Sequence, residues 1–506
     1  MSTKISLTGL SARTKAIKGM SYVADRVKAS IGPFGENHLS EKSNTISNDG
    51  AFIAEHLAPT IKDEFEKRGA LVVQQNVAKI NDIVGDGSST AWALHDDIIK
   101  EIIRYLPNDK SIKAKKTYSE VAKMLNKAKD EVIKELGAMA TPITSKEELI
   151  KSALVSVEDE AVAELLGTLQ WELGPEGRII AEEVNDTKSS VEKVNGIMLD
   201  NGFGATHLVT NPEKQSLEVN DMQCILTNYT IGVEEIDLLK ENIFKQLIAQ
   251  KKIGVILIAR AFTADAIKRC QESSQARFVI FPINAPYTDQ REIMRDIETV
   301  TGGRYIDTEE NSLEDIYITD VGFIKRLEAT MFKAIVTGIE DENSKARVAK
   351  RVELLKKKLI GEQSDFMKRA LEERIAQLTN GFGILKVGSL SLTDRQRLKD
   401  KCDDAVNAVR LALKGGTVKG AGLALKEISD KMEEGNILKR PLLGVYNQII
   451  SSAPEDFKIE DWVRDPVILL QTIIEKTCAF CPTFASIGSI DTSPNPEKCH
   501  CNIKNE

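Results

Sequence analysis

Hydrophobic residues recur with a helical period through most of the N-terminal segment. Over residues 13–29 the apolar positions fall every three or four residues, at Ile17, Met20, Val23, Ala24 and Val27. That spacing predicts an amphipathic helix. The same period predicts helices over residues 63–83, from Ser88 onward and over 117–136. Glycine-containing turns at 30–35 and 85–87 end the first two helices.

The pattern changes in the middle of the chain. Residues 176–260 are rich in β-branched runs and glycine-containing turns, which predicts strands. Within the central part, Gly254 to Ala259 is predicted as a buried strand, 263–273 as a helix capped by Thr263, and Phe278 to Pro282 as a second strand. This order predicts a βαβ unit and an α/β central domain.

The C-terminal part returns to helices. Residues 341–379 predict a pair of long, highly charged helices, and further helices follow. A helical beginning, an α/β centre and a helical end indicate that the two ends of the chain build one domain together. At 506 residues the chain exceeds the size of one hydrophobic core, so about three domains are expected.

Composition narrows the class of protein. The chain is 42% hydrophobic and 28% charged, as in ordinary soluble globular proteins. Its net charge of −8 argues against a general nucleic-acid binder. The apolar run from Ile253 to Ala259 is far too short to span a bilayer, and the N-terminus lacks the apolar segment of a secretory signal. Seven cysteines in such a chain predict reduced thiols and a cytoplasmic location.

Common catalytic motifs are missing from the sequence. Five histidines occur, and none belongs to a His-Glu-x-x-His motif. No Gly-x4-Gly-Lys-Ser/Thr loop is present either. A zincin-type hydrolase and a Walker-type nucleotide site are therefore not predicted.

One segment has the composition of a phosphate site. Residues 85–90 read GDGSST and precede a predicted helix. A helix N-terminus offers unpaired N–H groups and a positive dipole end, and glycines let the backbone approach a phosphate closely. The hydroxyls of Ser88, Ser89 and Thr90 could bind phosphate oxygens, and Asp86 is placed to hold Mg²⁺. The plain alternative is a hydroxyl-capped helix after a tight turn.

Two further turns change the interpretation. Residues 30–33 (SIGP) and 47–50 (SNDG) are each, taken alone, ordinary turns. Together with the glycine-rich segment they resemble the chaperonins, and the bacterial-type large-ring branch most closely. The likeness is carried, in family order over most of the chain, by residues 27–37 (VKASIGPFGEN), 46–50 (ISNDG), 80–91 (INDIVGDGSSTA), 296–303 (DIETVTGG), 381–388 (GFGILKVG) and 404–410 (DAVNAVR).

The resemblance implies a multi-domain α+β subunit. Residues 1–134 and 415–506 would form a mostly helical equatorial ATPase domain. Residues 135–195 and 382–414 would form a small intermediate hinge domain, and 196–381 an α/β apical domain that binds substrate proteins.

The resemblance also implies a set of site residues. The catalytic pair would be Asp49 and Asp404, carboxylates that orient and activate the attacking water. Asp86 would ligate Mg²⁺; K⁺ stays open as a second ion. The remaining ATP-binding residues would be Ser30, Ile31, Gly32, Pro33, Asn48, Gly87, Ser88, Ser89, Thr90, Ala421 and Asp465. For Asp404 the alternative is a solvated helix face.

The sequence departs from the family at the nucleotide site. Asn48 stands where a basic residue is usual, and Ala421 where a glycine is usual. Between Pro454 and Asp465 the chain is short, so the hairpin that lines the adenine pocket is predicted to be missing. We expect altered nucleotide affinity or base selectivity, with hydrolysis retained.

The resemblance implies an apolar client-binding surface on the apical domain. Its residues would be Phe203, His207 and Leu208 in one segment, Ile243, Phe244 and Leu247 on a first helix, and Ile267 on a second. The second helix has Gln271 and Glu272 where apolar residues are usual, so client binding is expected to be weaker or more selective. The alternative for Phe203 and Leu208 is that they pack inside. Whether a lid co-chaperonin is used stays open.

The predicted function is that of an ATP-dependent chaperonin that binds non-native proteins in a ring cavity and assists folding through ATP-driven domain movement. The chain would form a homo-oligomer, a seven-membered ring, single or double, without nucleic-acid or membrane partners. The alternatives are a ring that holds clients without useful ATP turnover and a scaffold ring. Cys478, Cys481, Cys499 and Cys501 could bind Zn²⁺, although buried thiols are the commoner explanation for the first two.

Overall fold

A computed structural model describes residues 5–40, 45–106, 115–203, 209–211, 215–250, 254–271, 277–283, 287–331 and 333–492. The chain divides into two compact units. The first unit comprises Met1–Trp171, Ala181–Ser190 and Leu385–Glu506, and the second comprises Glu172–Ile180 and Val191–Ile384. The two ends of the chain therefore build one unit. The segments assigned to an intermediate domain fall mostly in the first unit, and the three-domain division stays a prediction.

Helices occur in both units and make up most of the first; those within Val191–Ile384 belong to the second unit. In chain order they are α1 (Gly9–Ala29), α2 (Gly50–Leu57), α3 (Glu64–Val84), α4 (Ser88–Tyr105), α5 (Tyr118–Met139), α6 (Lys146–Val157), α7 (Glu160–Leu173), α8 (Val233–Leu239), α9 (Lys245–Ala249), α10 (Ala264–Gln271), α11 (Tyr287–Thr301), α12 (Glu342–Gly361), α13 (Asp365–Asn380), α14 (Leu392–Gly415), α15 (Leu423–Lys431), α16 (Gly444–Ser452) and α17 (Val467–Ala485). A π-helical turn, Lys240–Phe244, joins α8 to α9. Short 3₁₀ turns span Ala58–Thr60, Leu313–Asp315, Ile318–Asp320 and Pro441–Leu443.

The strands lie mainly in the second unit. They are β1 (Ile5–Thr8), β2 (His38–Leu39), β3 (Ile46–Ser47), β4 (Arg178–Glu183), β5 (Ser190–Val194), β6 (Ile197–Leu199), β7 (Leu217–Thr227), β8 (Thr230–Ile231), β9 (Gly254–Ala259), β10 (Ala261–Phe262), β11 (Arg277–Pro282), β12 (Tyr305–Ile306), β13 (Gly322–Ala329), β14 (Ala334–Thr337), β15 (Phe382–Val387), β16 (Thr417–Lys419), β17 (Arg464–Pro466) and β18 (Ser489–Thr492).

A mixed sheet forms the centre of the second unit. Its order is β11-β9-β7-β13-β14-β6, with β12 paired to β7. The β11, β9 and β7 strands are parallel, and the rest of the path is antiparallel. The βαβ unit predicted from the sequence is confirmed as β9-α10-β11. A smaller sheet has the order β4-β15-β5.

The predicted helical stripes form the core of the first unit. Met20, Val23 and Val27 of α1 are fully buried, and α17 contributes Ile473 and Phe484 to the same cluster. Within the described residues, α17 is long and apolar enough to cross a membrane by length and composition. Because its apolar side chains pack against α4 and α5, its hydrophobicity is explained as that of a core helix.

One expectation about the middle of the chain is wrong. Residues 176–260 were expected to be strands, yet α8, the π-helical turn and α9 form a helical run over Val233–Ala249. Ile236, Leu239 and Ile243 recur at helical spacing and are all buried. The spacing of these residues, rather than the β-branched content of the wider segment, decides the local structure.

Candidate functional site

The glycine-rich segment connects α3 to α4 and leaves the start of α4 free of a side-chain cap. Gly85 ends α3 in the left-handed conformation with φ of 71°. Gly87 precedes α4 with φ of 80° and provides no capping side chain. A Cβ on Gly87 would lie 2.6 Å from Ile473 Cδ1, so a side chain there would require Ile473 of α17 to shift. The hydroxyl-capped helix is therefore not what the structure has, and the first N–H groups of α4 can serve an anion.

The turn after α1 lies beside an apolar cluster. The N–H groups of Ser30 and Ile31 donate to Val27 O and Lys28 O at 3.1 Å each. Gly32 follows with φ of 86°. The cluster contains Ile31, Ala93, Val445 and Ile449, with Ala421 and Phe457 packed against it. This turn is therefore held between α4, which begins at the glycine-rich segment, and α16.

The second predicted turn touches the glycine-rich segment. Asp49 caps α2 by accepting hydrogen bonds from Ala51 N at 3.2 Å and Phe52 N at 2.8 Å. Ser88 Oγ lies 3.3 Å from the Asp49 carboxylate, and a Cβ on Gly50 would lie 2.3 Å from Ser89 Oγ. The carboxylate of Asp49 is thus fixed by backbone donors, while the half-buried Asn48 precedes it in the same turn.

Asp404 lies on α14, which is held against the glycine-rich segment. Asn407, one turn further along α14, donates from Nδ2 to Gly85 O at 3.3 Å. Asp404 is half-buried. Its pKa is raised well above the ordinary value by burial and then by the charges of Asp86 and Asp49. A solvated helix face would produce neither effect, so the structure favours a site residue.

Asp465 approaches the same region from a short antiparallel sheet. In the β16–β17 pair, Asp465 lies opposite Val418. The N–H of Ala421 donates to its carboxylate. Burial, together with the nearby charge of Asp86, raises the pKa of Asp465 to about 7, and the Ala421 bond opposes that shift. The charge of Asp86, the residue predicted to hold the metal, therefore acts on Asp465, the residue predicted to hold the nucleoside.

Four carboxyl groups thus converge without a cationic partner. Burial raises the pKa of Asp86 to about 6, the charge of Asp49 adds to the shift, and the Gly87 N–H opposes it. Among the described residues, none of Asp49, Asp86, Asp404 and Asp465 forms an ion pair with Lys or Arg. Such an arrangement concentrates negative potential and calls for a bound cation.

The donor set fits Mg²⁺ better than a metal caged by the protein. Within the described part of the chain, no three His, Cys, Asp or Glu side chains are close enough to hold a metal ion together. Mg²⁺ is usually held by one or two carboxylates plus substrate phosphates and water. Asp86, next to the free N-terminus of α4, matches that requirement.

Ala421 occupies a backbone conformation that favours glycine, and replacing it with glycine should stabilise the chain. Its φ is 54°, which costs roughly 1–2 kcal/mol for an L-residue; the greater entropy loss of glycine offsets about 0.5–1 kcal/mol. We expect Ala421→Gly to raise the free energy of unfolding in urea by about 0.5–1 kcal/mol. Ala128→Gly, inside α5, should lower it by about 1 kcal/mol or more. A loss in both variants would contradict strain at Ala421.

The structure corrects the predicted client surface. Ile243 and Leu247 are fully buried, and Phe244 is 7% exposed. They pack against Leu257 and Ile280 because the apolar face of this helical run points toward the sheet. The expectation that these three side chains are exposed is wrong.

The other residues of that predicted surface have different outcomes. Phe203 is 2% exposed in the core of the second unit, so the packing alternative holds for it. Ile267 is half-buried. His207 and Leu208 lie outside the described residues.

Of the four cysteines considered as zinc ligands, two are buried and two lie outside the described residues. Cys478 and Cys481 are buried in the core of the first unit. Burial raises the pKa of the Cys478 thiol to about 12 and that of Cys481 well above its usual range. Both side chains pack in the hydrophobic core, as the buried-thiol explanation predicted. Cys499, His500 and Cys501 lie outside the described residues.

Asn407 is the site residue that sequence reasoning missed. It belongs to the motif at 404–410 but was given no role. The signal was available, because a polar side chain three positions after Asp404 shares its helix face. Its bond to Gly85 O places α14 on the glycine-rich segment.

Comparison with known proteins identifies the family. Residues 23–436 match the model of the TCP-1/cpn60 chaperonin family. Two crystal forms of the chaperonin gp146 from the bacteriophage EL 2 (Pseudomonas aeruginosa), both in the presence of ATP-BeFx, have the same fold. For form II the TM-score is 0.70 at 16% identity, covering 97% of this chain and 100% of that one. For form I it is 0.71 at 17% identity, covering 97% and 99%. The chain belongs to the TCP-1/cpn60 chaperonin family.

Proposed function

We propose that this protein is an ATP-driven chaperonin, whose ATP hydrolysis in the first unit powers the binding and release of non-native proteins. The observation that carries the proposal is the convergence of Asp49, Asp86, Asp404 and Asp465 at the uncapped start of α4. These four carboxylates destabilise the protein when no nucleotide is bound, because like charges repel in a half-buried site. Their convergence becomes favourable when Mg²⁺ and a nucleotide bind.

The nucleotide would lie along the three turns. The α4 N–H groups and the hydroxyls of Ser88, Ser89 and Thr90 would bind phosphate oxygens, opposite the Ser30–Pro33 turn. Asp86 would hold Mg²⁺, which supplies charge neutralisation at the phosphates. The apolar cluster around Ile31 and Ile449 would take the base, with Ala421 and Asp465 at the nucleoside end.

The two catalytic carboxylates would have different tasks. Asp49 is already bonded to two backbone N–H groups and to Ser88, so it is suited to a fixed electrostatic role. Burial, and then the charges of Asp86 and Asp49, raise the pKa of Asp404 well above its ordinary value, which suits a group that accepts a proton from the attacking water. We assign water activation to Asp404.

The protein similar in fold supports the nature of the ligand. The gp146 chaperonin was crystallised in the presence of ATP-BeFx. At 16–17% identity the likeness establishes the fold, and the extension of ATP use to this chain rests on its own carboxylates and turns.

Client binding would use the outer helices of the second unit. Arg269 of α10 pairs with Asp237 of α8 at 3.3 Å, so the two helices lie side by side. Ile248 is 53% exposed, and Leu238, Phe262 and Ile267 are partly buried residues packed against the cluster that contains Ile243 and Leu247. We propose these four, in place of Ile243, Phe244 and Leu247, as the apolar contacts for non-native chains.

A homo-oligomeric ring is the expected assembly, in the cytoplasm. In the first unit, Leu39 and Ile46 of the β2–β3 hairpin are 63% and 52% exposed, and Ile5 of β1 is 49% exposed. Two-stranded sheets with exposed apolar residues and free edges are typical of surfaces that pair with another chain. The proposed assembly is a seven-membered ring, single or double.

A passive holding ring is the second candidate. The strained Ala421 and the uncharged Asn48 favour it, because both lie at positions assigned to the nucleotide. The retained carboxylates favour active turnover. The two candidates differ in whether clients are released by nucleotide.

Light scattering from a chemically denatured model enzyme separates the candidates. The purified protein should suppress aggregation without nucleotide, and Mg-ATP should then restore enzyme activity, whereas ATP with EDTA should not. Suppression without ATP-driven recovery would support the holding ring. Failure to suppress aggregation, or a monomeric mass in sedimentation of the same preparation, would contradict the chaperonin proposal.

A further inference from the structure

The second unit contains a cavity of about 400 Å³ with a strongly cationic lining. It lies at the C-terminal end of α11, between the loop that follows this helix and α12. Its charged lining residues are Arg295, Glu298, Arg304, Arg347, Lys350 and Arg351. Because all of them belong to the second unit, this cavity is separate from the nucleotide site proposed above.

Three of the cations are neutralised by carboxylates of the same unit. Arg351 pairs with Asp296 and Glu292 at 2.9 Å each. Arg295 pairs with Glu310 at 3.1 Å, and Arg304 lies 3.7 Å from Asp320. These residues shape the wall, and the fold itself accounts for their charges.

Arg347 and Lys350 are different. Among the described residues, neither has a carboxylate within ion-pair distance. The cavity is therefore lined by two positive charges, one helical turn apart on α12, that have no carboxylate partner among the described residues. Like charges at this spacing destabilise a helix modestly, so an anion bound between them would be favourable.

The guanidinium of Arg347 is held in a fixed orientation. Its Nε donates to Thr299 O at 3.1 Å, at the C-terminal end of α11. Its face lies against Gly302, where an added Cβ would be 3.0 Å from Nη2 and 3.1 Å from Cζ. Gly302 has φ of 72°, which a side chain would strain. The backbone therefore fixes the group and leaves its terminal nitrogens for another acceptor.

We propose that this cavity binds a small oxyanion of the phosphate class. A planar guanidinium suits bidentate contact with such an anion, and Lys350 adds a mobile point charge. The two uncompensated charges match a dianion rather than a single carboxylate. Thr319 also lines the cavity and adds a hydroxyl to it. The volume lies in the range of small-molecule sites.

Isothermal titration of the nucleotide-free full-length protein with inorganic pyrophosphate tests the proposal. The buffer is held at constant ionic strength, and sodium chloride is the comparison titrant. We expect one site per chain, with Lys350→Ala and Arg347→Ala each weakening pyrophosphate binding about tenfold or more. Arg347→Lys should bind pyrophosphate with an intermediate affinity, because lysine keeps the positive charge but cannot make the bidentate contact of a guanidinium. Lys356→Ala, an exposed cation on the same helix, should bind as the original protein does.

A second pair of variants separates this cavity from the nucleotide site. Gly87→Val should block the start of α4 and leave pyrophosphate binding in the second unit intact. If Gly87→Val removes the titrated site while Arg347→Ala and Lys350→Ala retain it, the proposal is overturned. A heat of titration with pyrophosphate that equals the heat measured with sodium chloride would also overturn the proposal. Lys350 is exposed, so its variant keeps the test valid if Arg347→Ala unfolds, which circular dichroism would show.

Discussion

Replacing Asp404 with alanine should lower Mg-dependent ATP turnover about 100-fold or more while nucleotide binding persists. The side chain is half-buried, and its raised pKa comes from burial and from Asp86 and Asp49. Those properties suit a proton acceptor for the attacking water, and the turns that we propose to bind phosphate do not depend on it. Steady-state phosphate release gives the turnover, and titration with a fluorescent ADP analogue gives the affinity.

Asp403→Asn is the matched control for Asp404. It removes the same charge one residue earlier on α14, where Asp403 contacts Lys399. Its turnover should stay within a few-fold of the original protein. Equal losses in the two variants would assign the effect to the charge of α14 rather than to water activation. Full turnover in Asp404→Ala would remove Asp404 from the mechanism.

Replacing Asp465 with asparagine should stabilise the nucleotide-free protein, and more so at about pH 8 than at about pH 5. The pKa of Asp465 is about 7 in the fold against an ordinary 3.8. The folded protein therefore binds this proton more tightly than the unfolded chain does. The resulting cost is absent below the ordinary pKa, grows as the pH rises and is complete above about 7. Asparagine does not ionise, so Asp465→Asn removes this cost.

Urea unfolding without nucleotide or Mg²⁺ measures the effect. Since Asp465 is only half-buried, solvent screening reduces the gain, and we expect about 1–3 kcal/mol at the higher pH. Asp461→Asn, an exposed carboxylate four residues earlier, should change little at either pH. A gain in Asp465→Asn that is independent of pH would contradict the raised pKa. The same variant should bind nucleotide less tightly, which would tie the instability of the empty site to its function.

Helices α1, α3, α4 and α5 of the first unit were predictable, because their apolar residues recur at helical spacing within short segments of sequence. The stripe of α1, the limits of α3 and the start of α4 follow from residues three and four apart and from the glycines that flank them. The βαβ unit β9-α10-β11 was equally visible. The hydrophobic pattern missed the helical run over Val233–Ala249, because β-branched residues occur in both strands and buried helices, although the resemblance implied a helix at Ile243, Phe244 and Leu247.

The sequence by itself determined the family and predicted the residues that a nucleotide would contact, since phosphate contacts come from short contiguous turns whose glycines and carboxylates must stand in a fixed order. Only the tertiary structure decided what surrounds each group. Asp404 is distant in sequence from Asp86, so the repulsion that raises its pKa exists only once α14 packs on the glycine-rich segment. The burial of Ile243 and Leu247 likewise depends on which helix face meets the sheet. Periodicity shows that a face is apolar, and packing alone decides whether that face is core or surface.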